Sequence, residues 1–228
     1  MSNAKETLAA LLERAGEQER RGHIHEAIET YQRSLTMEER PEILQHLGNL
    51  YNQAAQLDEA IRTFSRCIEQ SPDSPTGHYG LGLSYYRSAR VHEAIGCFER
   101  VIELDPEWIM ARYWLGIAHF HRGDLDDAIR VYQELLAVAP QFTIAWYHLG
   151  VAAAQIGDHE LTVRAFLQVL EKNPLSFVAH YHCGIAHFRR GDLDKAIEAF
   201  QAALEINPGH AKALDNLRAL EDMRLRFS

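Results

Sequence analysis

The chain has 228 residues, 46% hydrophobic and 24% charged, and a formal charge of −9, the balance of an ordered soluble protein. With no basic run, it lacks the clustered Lys and Arg that displace counterions from phosphates, which argues against nucleic acid and anionic membrane surfaces as partners. No apolar run approaches the roughly 18 residues of a membrane-spanning helix, and the start MSNAKETLAALLERAG lacks the basic segment and apolar core of a secretory signal. Met1–Ala4 add nothing to the pattern. Cys67, Cys97 and Cys183 are odd in number and widely spaced. They form neither a disulfide framework nor a zinc knuckle, and they suit a reducing compartment, most simply the cytoplasm.

Taken in order, Leu8 to Arg40 carries Leu11, Ala15, Gly22, Ala27 and Tyr31 in an irregular version of a pattern that becomes regular at Pro41. From there Gly, Pro and Asp/Asn separate two helical patterns per period. In Ile109–Pro140, apolar residues at Met110, Tyr113, Trp114, Ile117 and Phe120 recur at helical spacing. Gly123 and Asp124 break the pattern, and Leu125, Ala128, Ile129, Tyr132, Leu135 and Leu136 form a second stripe. Pro140, without an N–H, ends it. Pro75–Pro106 and Phe177–Pro208 lie over the same template, and Pro106, Pro140, Pro174 and Pro208 are each 34 residues apart. Self-similarity at a fixed period decides the architecture before local propensity does.

The pattern predicts helical hairpins at about 8–40 (degenerate), 41–74, 75–108, 109–142, 143–176 and 177–210, with a cap helix at 211–227. An atypical first repeat with a polar outer face and a solvating last helix are what a repeat array needs at its ends. Each repeat resembles the tetratricopeptide repeat, whose motif wants a large residue at position 4, Leu-Gly at 7 and 8, an aromatic at 11, Ala at 20, an aromatic at 24 and Pro at 32. The repeat starting at Pro75 supplies His78, Leu81, Gly82, Tyr85, Ala94, Phe98 and Pro106. The others follow with local departures, such as Thr162 for Ala at position 20. The resemblance implies an all-α, right-handed superhelical solenoid of tandem helix-turn-helix repeats. Gly at 8 and Ala at 20 are expected where the two helices cross, and the aromatics are expected to fill the space between neighbours.

Nothing in the sequence points to catalysis or a cofactor. No P-loop, G-x-S-x-G or dinucleotide fingerprint occurs. Among the histidines, His119 with His121, and His180 with His182, are two apart, which points their rings about 200° apart on a helix rather than to one metal. His78 and His180 fall at position 4 and His119 and His187 at position 11, where they read as flat fillers. No metal site is expected unless rings converge across repeats. RGD at 122–124 and 190–192 is the turn between helices, and the acidic Glu59, Glu93, Asp126 and Asp127 suit the start of second helices.

The informative positions are those the fold does not need. By the resemblance, positions 2, 5, 9, 12 and 13 of the first helix line a concave face. Repeats one and two are polar there. Repeats three to six carry Tyr79, Tyr113, Tyr147 and Tyr181 at position 5, then Leu83, Ile117, Val151 and Ile185 at position 9. Position 12 is Tyr86, Phe120, Ala154 and Phe188, and position 13 includes Arg87, His121 and Arg189. A carboxylate clamp would need Lys or Arg at 5 or 6 beside Asn at 9, and only Asn49 and Asn52 occur, so that subclass is rejected. The tyrosines are ordinary for the repeat. The aliphatic ladder marks a contact surface, filled by a protein or peptide partner with apolar anchors, by a second copy or the cap helix, or by a small apolar ligand. Small Ala154 between Phe120 and Phe188 leaves a recess walled by Tyr147 and Tyr181, or else Ala153 merely compensates for Thr162 in the core. The expected role is a non-catalytic interaction scaffold with Arg87 and Arg189 on the rim.

Overall fold

The computed structural model describes residues 7–227, which leaves Met1–Ala4 outside the described residues. Thirteen α-helices and no strand occur among them. None of these helices is long and apolar enough to cross a membrane. The chain divides into two compact units, one ending at Ala118 and the other beginning at His119.

The first unit contains α1 (Leu8–Arg20), α2 (Ile24–Met37), α3 (Pro41–Gln53), α4 (Leu57–Gln70), α5 (Pro75–Arg87), α6 (Val91–Leu104) and most of α7 (Ile109–Arg122). The second contains α8 (Leu125–Val138), α9 (Thr143–Ile156), α10 (His159–Lys172), α11 (Phe177–Arg190), α12 (Leu193–Ile206) and α13 (Ala211–Phe227). From Pro41 onward every first helix starts at repeat position 1 and every second helix at position 17. The expected all-α array of helix-turn-helix repeats is therefore what the chain adopts.

Position 15, the turn between paired helices, takes a left-handed backbone. Gly123, Gly157 and Gly191 hold it with φ of 93°, 81° and 83°, whereas Ala55 and Ala89 hold it at 58° and 61°. The glycine of each RGD is this turn residue. An alanine there carries a steric cost that glycine avoids.

One contact recurs where the two helices of a hairpin come closest. A Cβ built on position-8 glycine would stand 2.7 Å from Phe64 at Gly48, 2.8 Å from Phe98 at Gly82, 2.8 Å from Phe166 at Gly150 and 2.9 Å from Phe200 at Gly184. Each ring is the fully or nearly fully buried position-24 aromatic of the same repeat. The next repeat then packs its position 6 on that ring. His46 stacks on Tyr31 at 5.4 Å, His148 on Tyr132 at 5.9 Å and His182 on Phe166 at 5.1 Å, with planes within 18° of parallel. Gly80 occupies the same position against Phe64, where a Cβ would meet the ring at 2.3 Å.

Position 4 ties a repeat to the proline turn that ends the repeat before it. The side chains of His78, Trp146 and His180 reach the carbonyls of Pro72, Pro140 and Pro174 at 2.8, 2.8 and 2.9 Å, and Arg112 donates to the carbonyl of Pro106. A carbonyl only accepts, so Nε2 of His78 and His180 carries the proton. These two histidines are hydrogen-bonding staples rather than simple fillers.

Three outcomes follow from this packing. Gly150→Ala forces a methyl onto Phe166 and lowers the urea-unfolding stability by about 1–3 kcal/mol, whereas Gly96→Ala, with nothing within 4 Å, raises it by about 0.5–1 kcal/mol. Ala89→Gly relieves the left-handed alanine and stabilises by about 0.5–1 kcal/mol in the same assay. Burial holds the pKa of His148 and of His182 below the ordinary histidine value, and His121 adds to the effect at His148. The unfolded chain, titrating near 6.5, then takes up protons the folded chain refuses. Stability from these two residues is present above about pH 6.5 and is lost as pH falls below it. The acid shift of the melting temperature between pH 7.5 and 5.5 shrinks in His182→Phe, and an unchanged shift refutes the assignment.

Candidate functional site

All the residues singled out for partner binding lie on first helices: Tyr79, Leu83, Tyr86 and Arg87 on α5, Tyr113, Ile117, Phe120 and His121 on α7, Tyr147, Val151 and Ala154 on α9, and Tyr181, Ile185, Phe188 and Arg189 on α11. Arg87, His121, Phe188 and Arg189 are exposed and most of the others half-buried. Ile117 differs, at 6% exposed. Its helix buries Ala111, Leu115, Gly116, Ile117, Ala118 and His119 together, so α7 is sheathed over far more than one stripe. One rung of the expected aliphatic ladder is thereby core.

In the first unit the tyrosines belong to an aromatic cluster. The Tyr79 ring lies 5.3 Å from Trp108 and 6.1 Å from Phe98. Trp114 sits 5.3 Å from Tyr86 and 5.7 Å from Tyr113. Burial raises the phenol pKa of Tyr79, Tyr86 and Tyr113; a hydrogen bond between Tyr79 and Trp114 partly offsets the rise at Tyr79. Trp108 and Trp114 were not among the expected contact residues. The signal for them was two of the three tryptophans within seven residues.

Arg87 is engaged within the chain. It donates to the backbone carbonyl of Asn52, and the Asn52 amide is itself buried, giving its N–H to Ser84 Oγ at 2.9 Å. Asn52 therefore joins α3 to α5 and does not line a polar groove.

In the second unit, Tyr147 and Tyr181 stand edge-on to the position-24 rings of their own repeats, at 6.1 Å from Phe166 and 5.8 Å from Phe200. Tyr79 meets Phe98 in the corresponding way. Repeat packing thus fixes one edge of each tyrosine. Tyr181 and Ile185 also pack against the cluster containing Ala213 and Leu220 of α13. Between α11 and α13 is a cavity of about 220 Å³ that gathers Ile185, Phe188 and Arg189 beside Asn216, Ala219 and Met223. In repeat five Ala153 and Thr162 are both withdrawn into the core at 0% and 1% exposure, and Thr162 Oγ1 donates to the Asp158 carbonyl at 2.7 Å. That pairing supports the core-compensation reading of Ala153, while Ala154 stays half-buried.

Other reactive groups are accounted for by packing and pairing. His119, Asp124 and Asp127 bring ligand-type atoms within 4.8 Å of one another, but Arg122 pairs with Asp124, and Arg130 meets Asp127 at 2.9 Å. His119 Nδ1 lies 3.6 Å from Asp124, and His187 Nδ1 lies 3.4 Å from Asp192. Both are the position-11 histidine tied to the aspartate that opens the second helix. Burial pushes the Cys97 thiol up to about 11 and Cys183 up to about 12, the opposite of an activated nucleophile.

Comparison with known proteins identifies the repeat. Tetratricopeptide repeat profiles match residues 79–141 and 122–161, residues 177–210 and residues 48–88. No curated protein matches the sequence. Among solved structures, YrrB, a TPR protein with an unusual peptide-binding site, is 22% identical with a TM-score of 0.73, the match covering 81% of this chain and 96% of that one. A MamA protein is 26% identical with a TM-score of 0.69, covering 75% and 94%. The C-terminal part of a TPR repeat-containing protein from Cytophaga hutchinsonii is 18% identical with a TM-score of 0.79, covering 94% and 89%. With the glycine–aromatic contact, the position-15 turn and the proline staple recurring at a 34-residue period, the chain belongs to the tetratricopeptide repeat family.

Proposed function

We propose that the protein is a non-catalytic scaffold that binds apolar segments of a partner protein or peptide on the faces of its first helices. The observation that carries this reading is the cavity of about 220 Å³ between α11 and α13. It has room for one apolar side chain, with Phe188 at 39% exposure on its wall and exposed Arg189 beside it. An apolar anchor next to a carboxylate matches that chemistry, and aromatic and Arg residues commonly dominate interface energy. The tyrosines held by their own repeats add contact area without ordering cost, since their rings are already fixed. In the first unit Tyr79, Leu83, Tyr86 and Tyr113 offer a comparable half-buried aromatic and aliphatic surface. That YrrB is a TPR protein with a peptide-binding site supports the same role. A reducing, cytoplasmic setting fits three cysteines that are all free.

The test is capture of partners from source cells by native pull-down and mass spectrometry, followed by titration of a peptide from the identified partner. Phe188→Ala and Arg189→Glu each weaken binding by about tenfold or more while far-UV circular dichroism stays unchanged. Undiminished affinity in both variants refutes this face. Sedimentation that shows a concentration-dependent dimer, with the peptide site hidden in it, favours self-assembly instead. Ile117 is unsuited to the test, because an Arg there would be buried.

A further inference from the structure

A second cavity in the second unit lies elsewhere, among α8, α9 and α10, with a volume of about 540 Å³. That is within the roughly 300–1,000 Å³ of small-molecule sites. Its walls arise where the repeat departs from itself. Position 19 is Glu59, Glu93, Asp127 or Lys195 in other repeats and Leu161 here. Position 25 is Ser65, Glu99, Gln133 or Gln201 in other repeats and Leu167 here. Position 29 is Glu69, Glu103, Glu171 or Glu205 in other repeats and Ala137 in repeat four. These three departures converge on one cleft, with Trp146 beside them. Leu167 remains 51% exposed. Repeat packing does not require an apolar residue at any of these positions, since the other repeats do without one.

The departure at position 19, together with Gln168 at position 26, leaves a cation without the partners it has in other repeats. At position 22, Arg62 is paired with Glu59 at 2.6 Å. Arg130 is paired with Asp127 at 2.9 Å and with Glu134 at 3.0 Å. In repeat five positions 19 and 26 are Leu161 and Gln168, so Arg164 has neither carboxylate. Arg164 is one of the residues that line the apolar cleft, its side chain is exposed, and among the described residues no carboxylate pairs with it. A guanidinium beside an apolar wall is complementary to a ligand that brings both an anionic oxygen pair and a hydrocarbon body.

We infer that this cleft is a second binding site, for a small anionic amphiphile: an apolar chain ending in a carboxylate. The carboxylate takes the place of the missing position-19 and position-26 acids on Arg164, and the chain covers Leu161, Leu167 and Ala137. This inference does not depend on the partner-binding face, since none of the residues proposed there lines the cleft.

Decanoate is the probe, with decyltrimethylammonium as the opposite-charge control. The readout is the indole N–H resonance of Trp146 in the ¹⁵N-labelled full chain, a group anchored by its 2.8 Å hydrogen bond to the Pro140 carbonyl. Decanoate, below micelle-forming concentrations, shifts that resonance saturably, and decyltrimethylammonium does not. Arg164→Gln and Leu167→Gln alter exposed side chains and each weaken decanoate binding by about tenfold. Leu161→Glu installs the acid that repeats two to four carry at this position and abolishes binding. Because Leu161 is buried, the two surface variants decide the outcome if that protein does not fold. Absence of a saturable shift, equal binding of the cationic probe, or full affinity in both surface variants overturns the inference. An acidic leucine-containing peptide that shifts Trp146 where decanoate does not also overturns it, and assigns the cleft to a protein partner.

Discussion

The contact on which four of the hairpins depend is a ring against a missing side chain. At Gly48, Gly82, Gly150 and Gly184 the position-24 aromatic lies where a Cβ would stand, so in these four repeats only glycine lets the paired helices come together there. That contact has two further faces. The position-5 tyrosine leans its edge on the same ring, and the position-6 residue of the next repeat stacks flat upon it. One buried aromatic thus sets the spacing within a repeat, the tilt of a surface tyrosine and the docking of the following repeat. Interiors packed at crystal-like density transmit such constraints because there is no slack to absorb a methyl group.

Much of this was legible in the sequence because it rests on periodicity. Helix starts at Pro41, Pro75, Ile109, Thr143 and Phe177 coincide with the repeat frame, since Pro and Gly punctuation acts locally. The roles of individual polar residues were harder to read. His78 and His180 looked like ring-shaped fillers, yet they act through one nitrogen on a proline carbonyl. Asn52 looked like a groove residue and is buried against Ser84. In each case the deciding partner lies outside the helix, beyond what a helical wheel displays. Ile117 shows the same limit from the apolar side. Its position in the repeat matches those of Leu83, Val151 and Ile185, but α7 is buried around more of its circumference.

The departures from the repeat carry information of two kinds. Some are repaired on the spot, as where Thr162 enters a core position, Ala153 remains small, and the hydroxyl turns back to its own helix. Others are left open, as where Leu161, Leu167 and Ala137 replace polar residues and no side chain fills the resulting cleft. The distinction is between a change made good within the core and a change that leaves apolar surface, as at Leu167, open to solvent. Only the second kind leaves chemistry available to another molecule.

The Asn52–Ser84 bond has a consequence for the grammar of the array. An amide sealed in an apolar seam is costly unless its counterpart is present. Here the counterpart sits at position 10 of the following repeat, with Arg87 of that repeat capping the Asn52 carbonyl. In this array the asparagine at position 12 is matched by a serine at position 10 of the repeat that follows. Repeats that look interchangeable by their common motif are in this way keyed to their neighbours, and their order along the chain is written in buried hydrogen bonds as well as in covalent sequence.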